Sequence, residues 1–194
     1  TMAGAVDDIA GVLALLCRDR VPHYVHVDAA LGGLLLPFIG AGGQFFKHQI
    51  NSVSVSGHKM PGVPIPCGAL VTRQIHADHI EYVGSRDATV SGSRDGWSAL
   101  AFWLALDYYG SDGFSAMAQS CIAMAITADR MLKNVGWPCW RLPNSLMVVM
   151  NRPPEALCQR WQLATEQEHA HLILMPHVDD EMLCEFIKEL TPFS

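Results

Sequence analysis

The sequence of 194 residues is poor in charged side chains, which make up 16% of it, against roughly 25% in an average soluble domain. Its 13 basic residues are outnumbered by 19 acidic ones and form no cluster. This argues against nucleic acid or an anionic membrane surface as a partner. No run of about 18 or more apolar residues occurs, so no transmembrane helix is predicted. A chain that is 50% hydrophobic is expected to bury much of its surface.

Several short functional motifs are also absent. The six cysteines show no CxxC spacing, which excludes a zinc ribbon and a thioredoxin-type redox site and favours buried free thiols in a reducing cytoplasm. Neither a nucleotide-binding glycine loop nor the GxSxG motif of hydrolases is present. The histidines form close pairs without an acidic third ligand, so no metal site is predicted. These pairs are His23 and His26, His76 and His79, and His169 and His171.

The order of periodic segments predicts an α/β fold. A helix follows Asp7 and Asp8, and three strands at 24–28, 52–56 and 67–72 are expected to share one sheet. Two helices and a smaller α/β unit come after them. After the third strand, the pattern predicts helices at 97–109 and 114–133. It then predicts a strand at 145–150, a helix at 155–163, a strand at 171–175 and a helix at 179–190. We therefore predict two domains, 1–110 and 111–194.

Two polar motifs lie at strand ends, about thirty residues apart. The first is His-Val-Asp-Ala-Ala at 26–30, and the second is Ser-Gly-His-Lys at 56–59. Ligands of open α/β sheets bind at the carboxyl ends of strands. Asp28 could cap a turn or neutralise a cation, and Lys59 could form an ion pair with Asp28 or act as an amine nucleophile. Pyridoxal phosphate needs both groups: a lysine for its aldehyde and a carboxylate for its ring nitrogen.

These residues resemble those of the group II pyridoxal-phosphate-dependent decarboxylases, and in particular the bacterial pyridoxal-type histidine decarboxylases. The similar segments are HVDAA at 26–30, VSGHKMPGVPIPCG at 55–68, SGSR at 91–94, WQLA at 161–164, AH at 170–171 and MPH at 175–177. The SGHK motif is shared with bacterial glutamate decarboxylases, whereas PIPCG at 64–68 favours the histidine enzymes.

The resemblance implies the role of each residue at the two motifs. Lys59 would form the Schiff base with the aldehyde of pyridoxal 5'-phosphate, and Asp28 would bind the pyridine nitrogen. Ala30 would pack on one face of the ring. Ser56 and His58 would reach the phosphate, and His58 would also lie close to the reacting carbons as a catalytic residue.

Three further residues are implicated by the resemblance alone. Thr1 matches a threonine near the ring hydroxyl of the cofactor. Ser93 and Arg94 match a loop that approaches the phosphate bound by the partner subunit, and a surface arginine in a turn is the alternative for Arg94. The implied assembly is a homodimer.

The implied fold is that of fold type I pyridoxal enzymes, with a partial large domain and a small C-terminal α/β domain. The implied reaction is decarboxylation of a small-molecule amino acid, with L-histidine giving histamine and CO2. Decarboxylation of glutamate or another amino acid is one alternative. No signal peptide is predicted. The sequence starts at Thr1 rather than Met and enters a helical pattern at once, which predicts that it begins inside a larger fold. The resemblance implies that about half of the large domain precedes this region, so we expect a fragment without the N-terminal half, and a non-catalytic remnant is the second alternative.

Overall fold

A computed structural model describes residues 2–41, 49–74, 79–81, 84–86 and 94–193. The chain forms two compact units. The N-terminal unit comprises Ile9–Pro37 and Gly42–Gly110, and the C-terminal unit comprises Thr1–Asp8, Phe38–Ala41 and Ser111–Ser194. The two predicted domains, 1–110 and 111–194, were continuous, whereas the C-terminal unit also contains Thr1–Asp8 and Phe38–Ala41. The domain boundary at 110/111 therefore stays a prediction.

A three-stranded sheet and one helix organise the N-terminal unit. Helix α1 spans Ile9–Arg18, and the strands are β1 (His26–Asp28), β2 (Ser52–Ser56) and β3 (Gly68–Thr72). Their order is β1-β2-β3, with β1 parallel and β3 antiparallel to β2. The expectation that these three strands share one sheet is confirmed.

The two faces of this sheet differ because successive strand residues point to opposite sides. The apolar face packs on α1 in a core built from Leu13, Ala29, Ile50 and Val53, with Ile9, Val25, Val27 and Val55 around it. The other face carries polar side chains. The mostly apolar run at 24–30 predicts a buried first strand, but His26 and Asp28 on β1 are exposed. Only Val27 between them is half-buried and packs against this core, so that expectation is wrong for the polar face.

Regular structure also occurs where the sequence predicted only loops. Two 3-10 turns, Gly32–Leu34 and Leu36–Ile39, follow β1. A short hairpin of β4 (His79–Ile80) and β5 (Ser85–Arg86) lies in the polar stretch before the long helix. These pieces have two to four residues, which is too short for hydrophobic periodicity to reveal them.

The long helix α2 spans Gly96–Asn134, and its main chain breaks at Gly110, which has a φ of +55°. Its first turn is capped by Asp95, which accepts a hydrogen bond from the Ser98 amide at 2.8 Å. The helix ends at Asn134, and Gly136 just beyond it lies in the left-handed region. There the amides of Gly136 and Trp137 donate to Lys133 and Leu132, as in a Schellman motif. Gly110 and Gly136 come shortly after the two predicted helical segments, 97–109 and 114–133, where a glycine is expected to stop a helix, and both positions are confirmed.

The C-terminal unit combines the second half of α2 with a four-stranded antiparallel sheet. Its strands are β6 (Cys139–Trp140), β7 (Met147–Asn151), β8 (Ala164–Glu166) and β9 (His169–Ile173), in the order β6-β7-β9-β8. Helices α3 (Glu155–Arg160) and α4 (Asp180–Leu190) complete it. The sequence predicted all of these elements except β6 and β8, which have only two and three residues.

The buried stripe of α2 in this unit follows the i, i+3, i+4 spacing of a core helix. Its members are Phe114, Ala118, Cys121, Ala125, Ala128 and Leu132.

Burial raises the pKa of the Cys121 thiol to about 11, which keeps it protonated. All six cysteines are free, and Cys17 and Cys184 are exposed, so burial of every thiol was a wrong expectation. No helix among the described residues is long and apolar enough to cross a bilayer.

His171 on β9 is expected to make stability depend on pH. Its side chain is buried, and burial lowers its pKa. The unfolded chain then binds a proton at higher pH than the folded chain does. The contribution of His171 to the free energy of unfolding should therefore be fully present above about pH 6.5 and be lost as the pH falls from there through the lowered folded pKa.

Replacing His171→Gln should flatten this dependence in urea unfolding measured between about pH 5 and pH 8. His169→Gln is the matched control, because His169 is exposed on the same strand. Equal slopes for the His171→Gln variant and the unmodified chain would contradict the assignment.

Candidate functional site

The carboxyl ends of β1 and β2 lie side by side at one edge of the N-terminal sheet. The Ala29 amide donates to the Ser54 carbonyl at 3.0 Å, and the Ser56 amide donates to the Ala30 carbonyl at 3.1 Å. These bonds continue the parallel pairing of Asp28 with Ser54 beyond the end of β1. The two sequence motifs therefore adjoin at this edge, as the strand positions predicted.

The Asp28 carboxylate caps a turn and keeps one oxygen available. Its Oδ1 accepts a hydrogen bond from the Ala30 amide at 3.0 Å, which is an Asx-type turn. The residue is exposed, and its Oδ2 has no hydrogen-bond donor among the described residues. Turn capping and binding of a cation are thus compatible, because each uses a different oxygen of the same carboxylate.

Lys59 is held by its main chain rather than by its ammonium group. Its carbonyl accepts from the Gly62 amide at 3.0 Å, and the Val63 amide donates to the Gly57 carbonyl at 3.0 Å. Met60, which follows it, is 1% exposed. The Lys59 side chain is exposed, and within the described part of the chain it makes no ion pair with Asp28. The direct ion pair that the sequence left open is therefore not formed.

His58 is oriented by the main chain of a residue nine positions later. Its Nδ1 lies 3.1 Å from the Cys67 amide nitrogen and 2.9 Å from the Cys67 carbonyl oxygen. The Gly57 amide donates to the same carbonyl at 2.9 Å. These contacts fix one side of the imidazole, while the residue as a whole stays exposed. The sequence offered no signal for this contact except the close spacing of the two segments.

Gly57 permits this close approach, and Gly57→Ala is expected to disturb it. An added Cβ would lie 2.5 Å from Cys67 Sγ and 3.0 Å from the buried Phe102 ring, closer than packed atoms tolerate. Overpacking of this kind costs about 1–3 kcal/mol, which denaturant unfolding would measure. Gly96→Ala is the control, because its Cβ would meet no atom within 4 Å. Equal stability of the two variants would contradict this packing.

His26 makes polar contacts at this edge that the sequence did not predict. Its Nδ1 lies 2.8 Å from Ser52 Oγ and its Nε2 lies 3.2 Å from Ser54 Oγ. The ring thus bridges two hydroxyls of β2 and ties the strands together two residues before Asp28. The alternation of His26 with Asp28, and of Ser52 with Ser54, was the available signal, because it places all four on one face.

The remaining candidates are less closely connected. Ala30 is half-buried at the turn after β1, and Ser56 is half-buried at the end of β2. Arg94 is exposed just before the cap of α2. Thr1 and Ser93 lie outside the described residues.

The described residues hold no group of three or more His, Cys, Asp or Glu that could bind a metal ion.

Comparison with known families identifies the chain. The model of the pyridoxal-dependent decarboxylase conserved domain matches residues 1–136. The chain belongs to the pyridoxal-dependent decarboxylase family. This confirms the resemblance, and pyridoxal phosphate is the cofactor of that family.

Two curated relatives are similar over almost the whole chain. A histidine decarboxylase of Vibrio campbellii is 39% identical over 99% of this chain and 53% of its own length. Serine decarboxylase 2 of Oryza sativa subsp. japonica is 40% identical over 98% of this chain and 42% of its own length. The chain thus spans about half the length of the curated relatives it matches.

A solved structure shares the fold. L-methionine decarboxylase from Streptomyces superimposes with a TM-score of 0.82 at 24% identity, covering 99% of this chain and 51% of that chain. The predicted fold type I architecture is confirmed.

The residues at the β1–β2 edge fit the cofactor of this family. Lys59 supplies a primary amine without an ion pair to Asp28, and Asp28 supplies an unused carboxylate oxygen. Ser56 and His58 add a hydroxyl and an imidazole, the kinds of group that bind phosphate. Ala30 presents only a methyl group, which leaves room for a flat ring.

Proposed function

We propose that the complete protein containing this chain decarboxylates an amino acid with pyridoxal phosphate bound at the β1–β2 edge. The observation that carries the proposal is that Asp28 ends β1 and Lys59 follows the end of the adjoining strand β2, without an ion pair between the two residues. When bound there, the cofactor would accept the electron pair that the substrate's α-carboxylate leaves behind as CO2 departs.

Each residue of the β1–β2 edge would have a separate role. Lys59 Nζ would attach the aldehyde and be displaced by the substrate amine. Asp28 Oδ2 would hold the proton on the ring nitrogen, because an opposite charge nearby favours the protonated form. Ala30 would contact the ring face, and Ser56 and His58 would bind the phosphate. His58 remains a candidate catalytic residue near the reacting carbons.

The roles of the other predicted residues rest on the resemblance. Thr1 would lie near the ring hydroxyl, and Ser93 and Arg94 would reach the phosphate bound by the other subunit of a homodimer. Exposed apolar side chains on the first half of α2 support such a dimer. Trp97, Leu100, Leu104 and Tyr108 share one face there and are 70%, 44%, 50% and 83% exposed. Light scattering of the complete protein tests the dimer, and a monomer mass would contradict it.

Histidine is the substrate we propose. The PIPCG segment at 64–68 and the similarity to the Vibrio enzyme support it. The equal similarity to a rice serine decarboxylase makes serine the second candidate, and the SGHK motif keeps glutamate as a third. A cytoplasmic location, which the free thiols favour, remains a prediction.

The test is CO2 release by the complete protein, supplied with pyridoxal phosphate and given histidine, serine or glutamate separately. Mass spectrometry of the amine product identifies the reaction. Release from histidine with histamine as the product is the expected result. Release from serine or glutamate alone would overturn the proposed substrate. Release from none of the three would favour the non-catalytic remnant.

A further inference from the structure

His58 Nδ1 lies within hydrogen-bond distance of one donor and one acceptor, which require different protonation states of this nitrogen. The Cys67 amide at 3.1 Å is a donor and needs a bare nitrogen, whereas the Cys67 carbonyl at 2.9 Å is an acceptor and needs a protonated one. A neutral imidazole carries one proton, so Nδ1 can satisfy only one of them. The proton position follows from which of the two groups has another partner.

The Cys67 carbonyl has another donor, and the Cys67 amide has no other acceptor. The Gly57 amide already donates to that carbonyl at 2.9 Å. Among the described residues, the only acceptor of the Cys67 amide is His58 Nδ1. A proton on Nδ1 would set two N–H groups against each other and leave this amide unpaired, which disfavours that tautomer.

We propose that the Cys67 main chain holds neutral His58 with Nδ1 bare and the proton on Nε2, so that His58 acts as a fixed hydrogen-bond donor to an anion rather than as a general acid or base. A neutral ring that gave up its Nε2 proton would have to take one on Nδ1 and lose the Cys67 amide. The part of this inference that concerns the cofactor phosphate rests on the proposed function, whereas the tautomer stands on the geometry alone.

Nitrogen NMR tests the tautomer directly. The complete protein, labelled with 15N at its histidines, is measured without cofactor at about pH 8, where imidazoles are neutral. The spectrum of a His58→Gln variant assigns the His58 signals by difference. Nδ1 is expected to show the shift of an unprotonated nitrogen and Nε2 that of a protonated one. The reverse pattern would overturn the inference and leave the proposed decarboxylation untouched.

Two variants of Cys67 test whether its main-chain amide determines the tautomer of His58. Cys67→Ala keeps the amide, so the His58 signals should keep their pattern. Cys67→Pro removes the N–H, and the proton should move toward Nδ1, which can then donate to the carbonyl. An unchanged tautomer in a folded Cys67→Pro variant would show that the amide is not its cause. If that variant does not fold, the measurement on the unmodified protein still decides the inference.

The donor role is tested by the binding of pyridoxal phosphate. Glutamine can place an N–H near the position of Nε2, whereas leucine has no donor. His58→Leu should weaken binding by about 10-fold or more, the range expected for a hydrogen bond to a charged group. His58→Gln, which keeps an N–H donor, should lose clearly less affinity than His58→Leu. Equal loss of turnover in both variants, with the affinity unchanged, would show general acid–base action instead.

Discussion

Replacing Lys59→Ala is expected to abolish both covalent attachment of pyridoxal phosphate and CO2 release in the complete protein. Lys59 is the only lysine in the two motifs at the β1–β2 edge, and its exposed amine is not paired with Asp28. Removing a group that forms the covalent link to a reactant lowers turnover by on the order of 10⁴-fold or more. Borohydride reduction followed by peptide mass spectrometry locates the attachment, and a CO2 assay measures turnover.

Lys188→Ala is the matched control, because Lys188 is exposed near the end of α4. That variant should bind the cofactor and turn over as before. Lys59→Arg separates charge from nucleophilicity, since arginine keeps the charge but stays protonated. A cofactor that remains covalently bound in Lys59→Ala would show that another residue is the attachment site.

Replacing Asp28→Asn is expected to lower turnover by about 10²- to 10³-fold, the usual cost of losing one oriented electrostatic contact. Asparagine keeps an Oδ1 that can accept from the Ala30 amide, so the turn after β1 should survive. It lacks the negative charge that would hold the proton on the ring nitrogen of the cofactor. The change therefore isolates the charge from the fold.

Denaturant unfolding and cofactor absorbance supply the controls for Asp28. Asp28→Asn should unfold like the unmodified protein and still attach the cofactor through Lys59. Asp28→Ala should lose stability as well, because it also removes the turn cap. Full turnover in Asp28→Asn would rule out the ring-nitrogen role, whereas equal instability of both variants would show that asparagine does not preserve the turn cap.

Much of the fold was readable from local patterns. The alternation in Ser52–Ser56 predicted β2 to the residue, and the glycines at 110 and 136 marked the break and the end of α2. These features depend on neighbouring residues along the chain, which is why periodicity reveals them. The short strands β4, β5, β6 and β8 were not predicted, because two or three residues define no period.

The site was predictable in its members but not in its contacts. The motifs at 26–30 and 56–59 indicated an amine, a carboxylate and a cofactor class, and the strand order indicated that they meet. Sequence spacing left the state of each group open. Whether Asp28 pairs with Lys59, caps a turn or does both depends on atoms brought together across 31 positions of the chain.

The sequence by itself determined which strands form, which residues stand at their ends and which family the chain resembles. All of these follow from residue types at short range or from motifs. Only the tertiary structure decided that Asp28 uses one oxygen for a turn and that Lys59 is not paired with it. It also showed that Cys67 orients His58 and that His26 bridges the serines of β2. The physical reason is that a hydrogen bond needs atoms about 3 Å apart, and between segments distant along the chain only packing brings them that close.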